Sequence, residues 1–477
     1  YYQFFIICYT YYFKMKKYLD LEKIISNLVN EFNSQNYEYV IKQAKDVIVS
    51  NDKISIIYNL LGASYSLLNN DKEAIKAFKS AIKLEPNNEE VLRNLGKSYS
   101  RLNRDNDAQK SFEAAIKIKP KNHDAIFGIG LIHLKNKNYS ESILNFIKAI
   151  EFEKNFYQAY YNLALAQSFV GKMIDAEINY LNAIRINQNY FQAFNNLGSI
   201  MIKINNPNKA IPMLKKAIQI KPNYIEACTN LGVAYLQQKN YEKAKEYFDK
   251  AIKLDPFYVK AISQKLYLMR KICNWTEDNV LGQNLELINN SNIEITPWQL
   301  LSLDDDPKIE MERAKKYGLQ FGYKDLKIFY NNSKIKIAYF TPDFFEHAGM
   351  INMEGIFKYH NKEKFEIFAF DYGYSNNDNT HKRIKKYFDK FFYISNLSDE
   401  EISNLVKENQ IDIVIHRNGY SQNSRNTLFA KKIAPIQVSF LGYPGTMGVD
   451  FIDYIIADKI VIPENNIQYF NEKIIYL

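Results

Sequence analysis

A spacing of thirty-four residues constrains this 477-residue chain more than any other feature. Small residues return at that interval at Gly62, Gly96, Gly130, Ala164, Gly198 and Gly232, each inside an apolar pattern of helical period. A second register (Ala74, Ala108, Ser142, Ala176, Ala210, Ala244) and a third (Ala81, Ala115, Ala149, Ala183, Ala217, Ala251) keep the interval without an insertion. Two antiparallel helices per unit, stacked on the next pair, must come close where they cross, and only Gly, Ala or Ser lets them. Bulky residues such as Leu61, Tyr65, Leu68 and Phe78 fill the space between. Pro86, Pro120, Pro222 and Pro256 stand at the thirty-second position, where a ring without an N–H ends the second helix, and Lys154 and Gln188 take that place in two units.

The interval and the helix-pair pattern are those of an α-solenoid of tetratricopeptide repeats. Six regular repeats cover residues 55–258, and residues 15–54 hold a degenerate repeat, with Leu28, Val40 and Val47 at the small positions, that is expected to cap the stack. Residues 1–14 read as an extension upstream of a natural start at Met15, and residues 259–333 as a closing helix and a linker with Trp275 and Trp298. A solenoid has no catalytic pocket of its own, so its work is to hold an extended partner in its groove. Asn94, Asn162, Asn196 and Asn230 share the sixth position on the first helix of four repeats, an amide ladder suited to a peptide backbone. The plainer reading is solvated asparagine in an Asn-rich chain, and Leu60 and Gly128 interrupt the series.

Lys and Arg total 62 against 53 Asp and Glu, and the excess falls on the repeats: 45 basic and 35 acidic residues precede Lys334, 17 and 18 follow. This dispersed surplus lacks the dense basic patches and stacking aromatics of a nucleic-acid groove, so no nucleic acid is expected as a partner. Cys8, Cys228 and Cys273 form no CxxC and match no His spacing, which argues against disulfides and zinc and for a reducing, cytoplasmic setting. The apolar opening Tyr1–Cys8 is too short to span a membrane, and no membrane association is expected.

From Lys334 the period changes. Ile335–Phe340, Phe365–Phe370, Ile411–Ile415, Ile436–Leu441 and Ile455–Ile456 read as short buried strands separated by amphipathic segments such as Asp399–Asn409. That alternation predicts a parallel sheet covered by helices, an α/β Rossmann-like lobe over residues 334–477, with ligands beyond the carboxyl ends of its strands. Three loops fall there: Thr341–His347, Asn418–Ser421 and Gly442–Gly448. No GxGxxG, P-loop or GxSxG is present, which weakens dehydrogenase, kinase and hydrolase readings.

Asp343-Phe344-Phe345-Glu346-His347, Asn418-Gly419-Tyr420-Ser421, the run Ala434-Pro435-Ile436-Gln437 through Gly442-Tyr443-Pro444-Gly445-Thr446, and Asp453-Tyr454-Ile455-Ile456-Ala457-Asp458 together resemble the bacterial tetratricopeptide-containing protein O-GlcNAc transferases, SPINDLY-like glycosyltransferases. The resemblance runs from about Lys334 to Leu477, with weaker likeness at Ile295–Trp298 and Leu301–Pro307. It implies the first half of a GT-B-type catalytic region and metal-independent, cofactor-free transfer of GlcNAc from the donor substrate UDP-GlcNAc to Ser or Thr of protein acceptors. On this resemblance His347 is the catalytic candidate, as proton acceptor or orienting group, although a lone His is more often structural. Ser421, Gly442, Pro444, Gly445 and Thr446 are the substrate-binding candidates, the alternative for the glycines being a turn needed only for folding. His416-Arg417 and Ala348 depart from the family pattern. Lys473–Leu477 reads as a strand leading into a further, nucleotide-binding lobe, so the chain is expected to be a carboxy-terminally truncated fragment with little activity alone. Two other readings stay open: a repeat scaffold that only binds proteins, and a related transferase using GDP-fucose. Oligomerisation is left open by these residues.

Overall fold

The computed structural model describes residues 21–276, 281–291, 295–303, 305–322, 329–374, 378–421 and 423–477; the expected upstream extension, residues 1–14, lies outside them. They form two compact units that divide between Ala166 and Gln167.

Every regular repeat is a helix pair, for example Ser55–Leu67 with Asp71–Leu84 and Ile225–Gln237 with Tyr241–Leu254. The glycine register has a specific partner sixteen residues on. A Cβ added at Gly62, Gly96, Gly130 or Gly232 would lie 2.4–2.7 Å from the ring of Phe78, Phe112, Phe146 or Phe248, and at Gly198 it would meet Leu214 at 2.5 Å. Each of those rings is buried at the crossing of its own helix pair. Between the two helices the chain turns through a left-handed residue at the same interval: Gln35, Asn69, Asn103, Lys137, Gly171, Asn205, Lys239 and Cys273. Gln35 shows that the degenerate repeat turns as the regular ones do, and Cys273 closes the helix Val259–Lys271 in the same manner. Asn70, Asn88, Asn122, Asn206 and Asn240 cap helix amino termini, which accounts for part of the asparagine content.

Among the described residues of the second unit, seven strands make one parallel sheet: β1 Ile335–Thr341, β2 Phe365–Asp371, β3 Lys390–Tyr393, β4 Ile413–His416, β5 Ile436–Phe440, β6 Tyr454–Ala457 and β7 Lys473–Tyr476. Their order is β3-β2-β1-β4-β5-β6-β7. Alternate residues feed two cores, because helices cover both faces. Ala338, Phe340, Phe368 and Phe370 pack with Ile402 and Val406 of helix Asp399–Glu408, while Ile337, Tyr339 and Ile367 pack with Met350, Met353 and Phe357 of helix Ala348–Tyr359. The linker contributes to the first of these cores: helix Pro307–Gly318 buries Ala314 in it, and Trp298 packs alongside. Among the described residues no helix is long and apolar enough to cross a membrane, and no group of three or more His, Cys, Asp or Glu is placed to hold a metal.

Candidate functional site

The strand order reverses between β1 and β4, and in open parallel sheets the crevice beyond that reversal is where ligands bind. Four polar side chains meet there. Arg417, immediately after β4, is buried and pairs with Asp343 in the loop after β1. Asn418 donates to the same Asp343 oxygen at 3.0 Å. The other guanidinium edge lies 3.4 Å from Nδ1 of His347.

His347 is also the amino-terminal cap of helix Ala348–Tyr359: its Nδ1 accepts the Gly349 N–H at 3.1 Å. With Nδ1 taken by donors, the neutral ring carries its proton on Nε2 and presents an N–H, not a lone pair, to anything beyond. In that tautomer the ring can orient a hydroxyl or sugar through its Nε2–H, one of the two roles expected of His347. Gly349 makes room for the cluster, since a Cβ there would stand 1.6 Å from the Arg417 guanidinium. The loop itself is fixed from behind: the buried ring of His381 is 2.7 Å from the Phe344 carbonyl, and Asp378 accepts the Glu346 N–H at 2.7 Å. The His381 backbone N–H, also 2.7 Å from Asp378, and the Glu346 N–H hold the Asp378 carboxyl below its ordinary pKa.

Four buried polar atoms around this point have no protein partner among the described residues: Tyr372 Oη after β2, Arg417 Nε, Asn418 Oδ1 and Ser439 Oγ on β5. Burial, with the Asp343 charge adding to it, keeps the Tyr372 phenol protonated far above the usual range. Buried donors and acceptors left open in this way mark a place where a ligand or ordered water completes the bonding. A cavity of about 760 Å³ lies instead at the amino-terminal ends of β1 and β2, where Lys334, Lys336, Lys362 and Phe365 line it. The orphaned atoms are the better guide, because that hollow's lysines already bond to backbone carbonyls or to Asp389.

The other candidates are placed less uniformly. Ser421 is half-buried at the end of the turn that starts at Asn418, and its N–H bonds the Asn418 carbonyl at 2.9 Å. Gly442 packs on the protein itself: a Cβ would sit 2.3 Å from the Arg417 carbonyl, the group that accepts the Gly442 N–H. At Gly445 a Cβ would meet the Tyr443 hydroxyl at 2.8 Å, whereas Pro444 is exposed. Thr446 faces inward, contrary to the substrate contact expected of it: its hydroxyl donates to Glu472 at 2.6 Å and accepts from the Gly448 N–H. Burial raises the pKa of Glu472, which also takes the Met447 N–H. In the repeats, Asn94, Asn162, Asn196 and Asn230 are all half-buried. Asn162 bonds its own helix at Gln158, while Asn230 reaches Asn195, which bonds Asn196, which in turn lies 3.3 Å from the Tyr180 hydroxyl. Sequence reasoning passed over Asp378, His381 and Tyr372, and marked Arg417 only as a departure from the family pattern, not as a member of the site.

Comparison with known proteins gives this geometry a family context. Residues 308–477 match the family model of glycosyl transferase family 41, and tetratricopeptide models match residues 62–103, 93–157, 191–224 and 225–258. A probable UDP-N-acetylglucosamine–peptide N-acetylglucosaminyltransferase, SEC, of Arabidopsis thaliana is 29% identical over 235 residues, 44% of this chain and 24% of that protein. The UDP-N-acetylglucosamine–peptide N-acetylglucosaminyltransferase of Caenorhabditis elegans is 31% identical over 148 residues, 31% of this chain and 13% of that protein. The chain thus spans a quarter or less of the length of these curated relatives. A solved O-GlcNAc transferase mutant of Thermobaculum terrenum aligns over 67% of this chain and 57% of its own, at 18% identity and a TM-score of 0.44. The family match begins within helix Pro307–Gly318, the point at which the linker joins the sheet's core. The chain thus carries tetratricopeptide repeats followed, over residues 308–477, by a region that matches the glycosyl transferase family 41 model and is similar to O-GlcNAc transferases.

Proposed function

We propose that this protein acts in the transfer of GlcNAc from UDP-GlcNAc to Ser or Thr hydroxyls of protein acceptors in the cytoplasm, the repeats holding the acceptor and the sheet forming one wall of the reaction cleft. The observation that carries the reading is the Asp343–Arg417–His347 grouping at the reversal of strand order, surrounded by unpartnered buried polar atoms. In the reaction the acceptor oxygen forms a bond to the anomeric carbon, the bond from that carbon to phosphate breaks with its electrons leaving on UDP, and the hydroxyl proton passes, directly or through water, to an oxygen of the departing UDP phosphate. His347 supplies an N–H from Nε2 that orients the acceptor oxygen or a sugar hydroxyl. Asp343 and Arg417 neutralise one another, so this wall suits uncharged sugar and hydroxyl groups rather than pyrophosphate. The asparagine ladder adds backbone bonds worth about 0.5–1.5 kcal/mol each, which makes acceptor capture weak and tolerant of sequence.

The test is to incubate the full-length gene product with UDP-GlcNAc and a protein acceptor and to read intact mass. An N-acetylhexosamine increment on Ser or Thr is expected. A deoxyhexose increment given only by GDP-fucose would reassign the donor, and no increment with any sugar nucleotide would leave the repeats as a binding scaffold. Changing Asn94, Asn162, Asn196 and Asn230 together to Ala should lower turnover of protein acceptors several-fold; unchanged turnover removes the ladder.

A further inference from the structure

One repeat turn differs from the rest. The left-handed turn residue is Gln, Asn, Lys or Cys at φ 54–64° in seven positions of the thirty-four-residue series, and glycine, at φ 86°, only at Gly171. The turn alone therefore does not demand glycine. What does is Arg425, whose guanidinium nitrogen would stand 2.2 Å from a Cβ at Gly171.

Arg425 lies in the segment between β4 and β5, with its side chain almost wholly buried. It binds the Asp399 carboxylate at 2.6 Å, the carbonyls of Leu397 and Ile394 at 2.5 and 3.3 Å, and the carbonyl of Val170 at 3.3 Å. The same Val170 carbonyl accepts the first amide of helix Asp399–Glu408, from Asp399 at 3.2 Å, where the helix's positive end favours it. Lys172 pairs with Glu401 at 3.1 Å, and Asn396 reaches Asp175 at 3.4 Å. On its other side Arg425 is followed by Asn426, whose amide oxygen is 2.8 Å from His416 Nε2, and preceded by Ser424, which bonds the Gly419 carbonyl at 2.5 Å. His416 and Gly419 flank Arg417 and Asn418, the residues gathered at the reversal of strand order.

We infer that the turn Val170–Lys172 of the repeats is a clamp on the sheet, pinned by Arg425, and that Arg425 is a positioning residue which carries the state of that clamp to the segment bearing Arg417 and Asn418. The repeats then do more than hold a partner: a partner that shifts this turn also changes the order of the site.

Hydrogen exchange on the whole chain, without sugar nucleotide or acceptor, tests this independently of any transferase activity. Gly171→Val, a change in the repeats only, should speed exchange of the Asp399 amide and of residues 416–421 at least tenfold, whereas Asn205→Val, the same strain one turn later, should leave them unchanged. Coupling is reciprocal, so Arg425→Met should speed exchange of residues 171–176 in the repeats. If Gly171→Val acts on repeat amides alone, if Asn205→Val acts on the sheet equally, or if Arg425→Met acts on sheet amides alone, the clamp is overturned.

Discussion

His347 combines a structural duty with the chemical one proposed for it, and substitution separates them. Asparagine is itself a strong amino-terminal cap, so His347→Asn should keep stability within about 0.5 kcal/mol, while His347→Ala should cost roughly 0.5–2 kcal/mol in urea unfolding. Both should lower the transfer rate about tenfold or more, the worth of one lost orienting bond. A His347→Asn protein with full activity would confine the residue to the cap. His416 gives a second handle at this scale. Burial lowers its pKa to about 4, its ring stacked on Phe429 at 3.8 Å and bonded to Asn426. In the unfolded chain it takes a proton near pH 6.5, so the unfolded state binds more protons as pH falls. Its contribution is intact above about 6.5 and declines by roughly 3 kcal/mol on the way down to about 4. Glu472 tilts the other way, since a carboxyl with a raised pKa stabilises at low pH and loses that contribution as pH rises through its folded value. Urea unfolding of wild type and His416→Gln at pH 7 and 4.5 isolates the histidine: the variant should lose markedly less stability on acidification.

At the scale of elements, the repeats rest on one recurrent contact. Gly232→Ala drives a methyl to 2.4 Å from the buried Phe248 ring and should cost about 1–3 kcal/mol in urea unfolding. Glu472→Ala would strand the Thr446 hydroxyl and the Met447 N–H inside the protein, at about 1–3 kcal/mol for each group left unpaired. The glycine register was plain in sequence because every crossing imposes the same demand at the same interval; its aromatic partner could be read from the same period. The strands buried on both faces, such as Ile335–Thr341 and Phe365–Asp371, stood out as apolar runs. β3 did not: Phe391-Phe392-Tyr393 is short, with two half-buried residues and an exposed one at the sheet's edge, and without alternation. The loops of the site were legible through their glycines and their family motif. Arg417 was not, because its meaning depends on Gly349, sixty-eight residues earlier, leaving it space. Thr446 misled for a related reason: a hydroxyl in a glycine-rich loop looks the same whether it faces a ligand or a buried carboxylate.

Across the whole molecule, stability is unevenly organised. Stacked repeats contact mainly their neighbours and melt as a graded array, whereas a sheet with two cores melts as a unit. Far-UV circular dichroism, dominated by the repeats, and Trp298 fluorescence, which reports the sheet's core, should therefore give non-coincident urea transitions; a single shared midpoint would mean that the molecule unfolds as one. The bond between Thr446 and Glu472 bears on how the protein is made. Translation is vectorial, and the carboxylate that seats Thr446 is added twenty-six residues after it. The repeats can stack while the ribosome is still working, and the Gly442–Gly448 loop can already rest on Arg417 and Tyr420, but its Thr446 hydroxyl lacks its carboxylate partner until Glu472 has left the exit tunnel.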